Sequence, residues 1–104
     1  ATDAPDPSAI APDAEAFLVF TSGTTGAPRV VVHTRRSLAA TLACVGGQLA
    51  PDARTVFWAR ELHLLLPTLL AGGEAVVAAD GAFDAGRALD ELARHRATHA
   101  FLVT

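Results

Sequence analysis

"TVFWARELHLLLPTLLAGGEAVVAA", Thr55 to Ala79, reads as strand, helix and strand in succession. Thr55 to Ala59 is built of β-branched, aromatic and small apolar residues, which suit a buried strand. Leu62, Leu65, Leu66, Leu69 and Leu70 recur at spacings of three and four, one stripe along a helix. Pro67 predicts an irregularity inside that helix and Gly72-Gly73 predicts its end. Glu74 to Ala79 is then a second extended run. A helical connection carries the chain back to the end of the sheet at which the first strand began, so the two strands run parallel with a right-handed crossover.

The same alternation extends in both directions. Toward the C-terminus, Asp84 predicts the cap of a helix running to about Arg96, with Leu89 and Leu92 inward. Arg87 with Glu91 and Asp90 with Arg94 form outward pairs four residues apart. Thr98 to Val103 reads as a further strand. Toward the N-terminus, Ser37 predicts the cap of a helix whose stripe is Leu38, Leu42, Val45 and Leu49. Gly46-Gly47 weakens its last turn and Pro51 stops it. Before it lie two apolar runs, Ala16 to Thr21, expected as a buried strand, and Arg29 to Thr34 with three adjacent valines. Residues 1–14 carry three prolines and three aspartates without periodicity and read as a linker or lead-in. The expected fold is a three-layer α/β/α subdomain over residues 15–104, with a mostly parallel five-stranded sheet.

Composition bounds the function. The chain has 104 residues, enough for one domain, of which 51% are hydrophobic and only 18% charged. With a mean hydropathy of +0.34, it is apolar for a soluble domain, so part of its surface is expected to be covered by something else. A net charge of -3 argues against a nucleic-acid partner, which needs a basic patch. All eight basic residues are arginine. Cys44, the single cysteine, excludes an internal disulfide, and its place on a helix predicts a buried thiol. No apolar run approaches the roughly 18 residues that span a membrane. There is no basic n-region of a signal peptide, and a cytoplasmic location is expected. The last residues, Phe101 to Thr104, fall inside a predicted strand, which predicts a piece of a larger protein.

The stretch that carries chemistry is "FTSGTTGAPRVVVHT", Phe20 to Thr34. Six of the seven residues Thr21-Ser22-Gly23-Thr24-Thr25-Gly26-Ala27 are glycine or bear a hydroxyl. Glycines let backbone N–H groups turn inward as a nest of donors, and hydroxyls add donors without bulk. Arg29, at the far end of the loop, supplies a cation that can grip phosphate through two parallel bonds. The pattern is not a Walker loop, because no Gly-Lys-Ser/Thr closes it and a strand follows instead of a helix. It is not the dinucleotide fingerprint either, since no G-x-G-x-x-G opens a helix.

Leu18 to Arg29, "LVFTSGTTGAPR", closely resembles the signature loop of the adenylate-forming superfamily, which includes acyl-CoA synthetases, peptide-synthetase adenylation domains and luciferases. The following "VVVHTRRSL" is similar to the continuation common in acyl-CoA synthetases. "LLLPTLLAGGEAVVA" and "FDAGRALDELARHRATHAFLVT" look like the family's next helix–strand units. The resemblance covers about residues 14 to 104. It implies that Thr21, Ser22, Gly23, Thr24, Thr25, Gly26 and Arg29 hold the phosphates of ATP. The carboxylate of an acid then attacks the α-phosphorus, giving an acyl-adenylate and pyrophosphate. It further implies a Mg ion and a catalytic lysine supplied from outside this chain, and CoA or a carrier protein as acceptor. The chain alone is expected to be inactive without the remainder of its parent enzyme.

Three departures accompany the match. Arg29 stands where lysine is usual, and Val30 where glycine is usual. "FWARELHLLLP" lacks the family's Pro-x-x-His turn and is short, so His63 takes the place of a histidine near the acyl site. These features keep three readings open: a ligase resembling acyl-CoA synthetases, an adenylation domain of a peptide synthetase, or a non-catalytic relative that binds nucleotide or acts as a scaffold. Among the remaining polar residues, His33 with Arg35 and Arg36 reads as a solvated basic turn. His95 and His99 straddle a helix–strand boundary without a third ligand, so no metal site is expected, and Trp58 reads as core.

Overall fold

The computed structural model describes residues 4, 6–21 and 26–102. The order of elements is a 3-10 turn (Pro7–Ala9), β1 (Glu15–Thr21), β2 (Arg29–Thr34), α1 (Arg35–Leu49), β3 (Val56–Ala59), α2 (Leu62–Leu70), β4 (Glu74–Val77), α3 (Ala85–Arg94) and β5 (His99–Ala100). The chain divides into two compact units, residues 1–41 and 42–104.

In the first unit β1 and β2 form an antiparallel ladder in which Phe17 faces His33, Leu18 faces Val32, Val19 faces Val31, Phe20 faces Val30 and Thr21 faces Arg29. This corrects the expectation of one five-stranded sheet. Only a short loop joins these strands, and a connection too short to return the chain to its starting end makes the pair a hairpin. The hairpin is also less buried than its apolar sequence predicts. Phe17 and Val19 are half-buried, whereas Leu18 is 50% and Phe20 67% exposed, so the alternation of a pleated strand leaves one face open.

The start of α1 also departs from expectation. Thr34, not Ser37, is the cap: its Oγ1 accepts the Ser37 N–H at 3.1 Å, and the Ser37 hydroxyl returns a bond to the Thr34 carbonyl at 3.2 Å. The first two N–H groups of the helix, on Arg35 and Arg36, are taken by the carbonyls of Ala14 and Pro12 at 2.9 Å each. Near the N-terminus, the Ser8 hydroxyl and N–H both donate to Asp6 and hold its carboxyl below the usual range. Along α1 the predicted stripe of Leu38, Leu42, Val45 and Leu49 is half-buried, while Ala39, Ala40 and Ala43 are exposed. Cys44 is exposed as well, contrary to the expected buried thiol. It follows Leu42 by two residues, about 200° around the helix and so on the side away from the stripe.

The second unit is α/β in the expected sense. Its sheet has the order β4-β3-β5, with all three strands parallel. The alternation along β3 divides the core. Trp58 joins Val76, Ala78 and Ala88 on the α3 side, while Phe57 and Ala59 join Leu65 on the α2 side. Trp58 is therefore core, as its sequence context predicts. The α2 stop is a Schellman motif: Gly72 has φ +81°, its N–H bonds the Leu69 carbonyl at 3.1 Å, and the Gly73 N–H bonds the Thr68 carbonyl at 2.9 Å. Pro67 is buried inside α2 and has no N–H to offer the preceding turn.

The α3 cap is the predicted one, with the Arg87 N–H donating to Asp84 Oδ1 at 2.9 Å. Its end is another Schellman motif, with Arg96 N–H to Ala93 O at 3.2 Å and Ala97 N–H to Leu92 O at 2.9 Å. Here a non-glycine residue, Arg96, occupies the left-handed position at φ +53°. Arg96→Gly is expected to raise stability by about 1 kcal/mol, because only glycine takes that conformation without a Cβ penalty. A higher urea midpoint with an unchanged slope is the result that checks this.

Among the described residues one buried side-chain group is left without a partner. Thr68 is fully buried in α2, and its Oγ1 makes no hydrogen bond. Thr68→Val keeps the shape and removes the unpaired hydroxyl, so a gain of about 1 kcal/mol is expected. A loss on urea unfolding would mean that the hydroxyl has a partner, such as a buried water.

Candidate functional site

The hairpin places the two described ends of the glycine–hydroxyl loop side by side. Thr21 closes β1, Arg29 opens β2, and the two are partners in the ladder. Both side chains are exposed, so the hydroxyl and the guanidinium flank the loop at the end of the hairpin. Gly26 adopts φ +84°, and a Cβ there would meet nothing within 4 Å. Its glycine is therefore required by backbone conformation and not by crowding. Four of the predicted phosphate ligands, Ser22, Gly23, Thr24 and Thr25, lie outside the described residues. Of the seven, the structure describes Thr21, Gly26 and Arg29 and brings all three to the same end of the hairpin.

At the other end of the same ladder stands His33, whose Nδ1 lies 3.3 Å from Ser37 Oγ. Arg36 pairs with Asp13 at 3.4 Å, both side chains largely in solvent, whereas His33 and Arg35 are half-buried and the Arg35 guanidinium donates to the Ile10 carbonyl, so only part of the basic turn is the solvated surface expected.

The second unit holds His63, in the first turn of α2 and half-buried. A cleft of about 400 Å³ lies in this unit, with Val45, Leu49, Phe57, Leu64 and Phe101 as its apolar walls and Gln48 and His99 as its polar groups. Leu64 lines it and its neighbour His63 does not. His99 stacks on Phe57 with ring centroids 6.1 Å apart, and its Nδ1 lies 2.8 Å from Thr98 Oγ1. His95 turns elsewhere, its Nδ1 3.9 Å from Glu74 Oε1. Among the described residues no group of three His, Cys, Asp or Glu side chains could hold a metal ion.

At the carboxyl ends of β3 and β4, a smaller crevice lies between Arg60 and Arg87 over Trp58. The Arg60 guanidinium donates to the Gly81 carbonyl. The crevice's space of about 20 Å³ is room for one water. The Trp58 indole N–H donates to Glu91 Oε2 at 2.7 Å. Glu91 thus turns inward, and the expected surface pair with Arg87 does not form. A buried indole N–H needs an acceptor, whereas an exposed pair four residues apart is worth only about 0.3 kcal/mol. Neither the Arg60 bond nor the Glu91 bond has a signature in the sequence.

Comparison with known proteins agrees with the loop. Residues 1–104 match the family described as AMP-binding enzyme. The chain is also similar to a probable non-canonical nonribosomal peptide synthetase, CymA, of Salinispora arenicola (strain CNS-205), at 37% identity over 99 residues. That match covers 86% of this chain and about 1% of the length of the relative.

Proposed function

Because this chain belongs to the family of AMP-binding enzymes, we propose that it is the phosphate-holding part of a larger ligase that activates a carboxylic acid with ATP. The observation that carries the proposal is the pairing of Thr21 with Arg29, two exposed residues that bracket the glycine–hydroxyl stretch in sequence and stand side by side at one end of the hairpin. Thr21, Ser22, Thr24 and Thr25 supply hydroxyl donors. Gly23 and Gly26 allow backbone N–H groups to approach, and Arg29 neutralises charge on the outer phosphates.

As the acid's carboxylate oxygen bonds to the α-phosphorus, the bond from that phosphorus to the bridging oxygen breaks and negative charge builds on the departing pyrophosphate. Donors already in place around that charge lower the barrier. A Mg ion, held like the catalytic lysine by parts of the enzyme outside this chain, would add to this neutralisation. On the acid side His63, at the start of α2, stands near the acyl group, and the isolated chain is inactive without the remainder of its parent enzyme. No helix among the described residues is long and apolar enough to cross a membrane.

Two acceptors follow from two different observations. The run Val32-His33-Thr34 resembles acyl-CoA synthetases and favours CoA with a fatty or aryl acid. The peptide-synthetase relative favours a carrier protein. Incubating the intact parent with ATP, a panel of acids and either CoA or a phosphopantetheinylated carrier protein separates them. Thioester on CoA supports the first and thioester on the carrier the second. Absence of both thioester and adenylate with every acid sinks the ligase proposal and leaves the non-catalytic reading, for which Arg29 and Val30 are the motivating departures.

A further inference from the structure

We draw no further inference here: the strongest candidate, the apolar cleft of about 400 Å³ lined by the C-terminal half of α1, β3, α2 and the edge strand β5, carries nothing because no element of the structure shows what covers it.

Discussion

Arg29→Ala in the intact parent enzyme is expected to lower carboxylate-dependent ATP–pyrophosphate exchange by at least about a hundredfold, the usual cost of removing one preorganised charge partner of a transition state. The size of the effect follows from position. Arg29 is the first residue of β2, exposed and paired through the backbone with Thr21, so its side chain is available to the loop and is not committed to the core. An exposed residue at the end of a ladder contributes little to folding, so thermal stability should stay within about 0.5 kcal/mol of the parent. Arg29→Lys is the informative companion. It keeps the charge and restores the residue usual in the family, but replaces a planar fork with a point charge, and most of the exchange should survive. Exchange that is the same in the wild type and in Arg29→Ala would show that the guanidinium does not meet the phosphates.

Gly73→Ala is expected to have the largest effect on stability. A Cβ at Gly73 would lie 2.7 Å from the Thr55 carbonyl oxygen, 2.7 Å from Thr68 Cγ2 and 2.8 Å from the Asp52 carbonyl oxygen. Two of these are backbone atoms, and the third belongs to a fully buried side chain. None can move aside without disturbing the Schellman motif that ends α2 or the bond from the Glu74 N–H to Thr55 O. The expected cost is about 3 kcal/mol, the upper part of the range for overpacking. With a urea slope of about 1–3 kcal/mol/M, the midpoint falls by at least about 1 M. The contrasting variant is Gly47→Ala. That glycine lies within α1, and a Cβ there would meet nothing within 4 Å. Only the helix preference remains, worth a gain of about 0.5–1 kcal/mol. An unchanged midpoint for Gly73→Ala would mean that β3, α2 and β4 do not meet as closely as described.

Gly72 and Gly73 show what the residue types alone conveyed. Gly72-Gly73 announced the end of α2, because a helix stop wants a left-handed residue and glycine has no penalty there. The adjacency of Gly73 to Thr55 and Asp52 depends on how two distant segments meet, and it has no local signature. The strand–helix–strand unit from Thr55 onward was legible for a similar reason. Leucines spaced three and four apart and a β-branched run each point to one conformation. Asp84 marked the start of α3 because nothing else nearby competes to cap that turn.

The hairpin was harder to read. Three adjacent valines look the same in a buried parallel strand and in a half-exposed antiparallel one, and only the pairing of Phe20 with Val30 and its neighbours distinguishes them. At the start of α1, Thr34 and Ser37 both carry a capping hydroxyl. The choice falls on Thr34 because the ladder ends there, a long-range fact. Glu91 was misread because its partner, Trp58, is 33 residues away in sequence. For the candidate site the situation is reversed. Its residue types and order were legible almost completely in "TSGTTGAPR". The structure adds the pairing of the loop's flanks, Thr21 and Arg29, and the left-handed backbone at Gly26.

The central claim is that this loop serves ATP-dependent activation of a carboxylate. The most direct measurement is pyrophosphate exchange into ATP by the intact parent protein, across fatty, aryl and amino acids. Exchange stimulated by one class of acid and absent without acid is the predicted result, and it would identify the substrate class as well. Folded protein that shows no exchange with any acid would contradict the account.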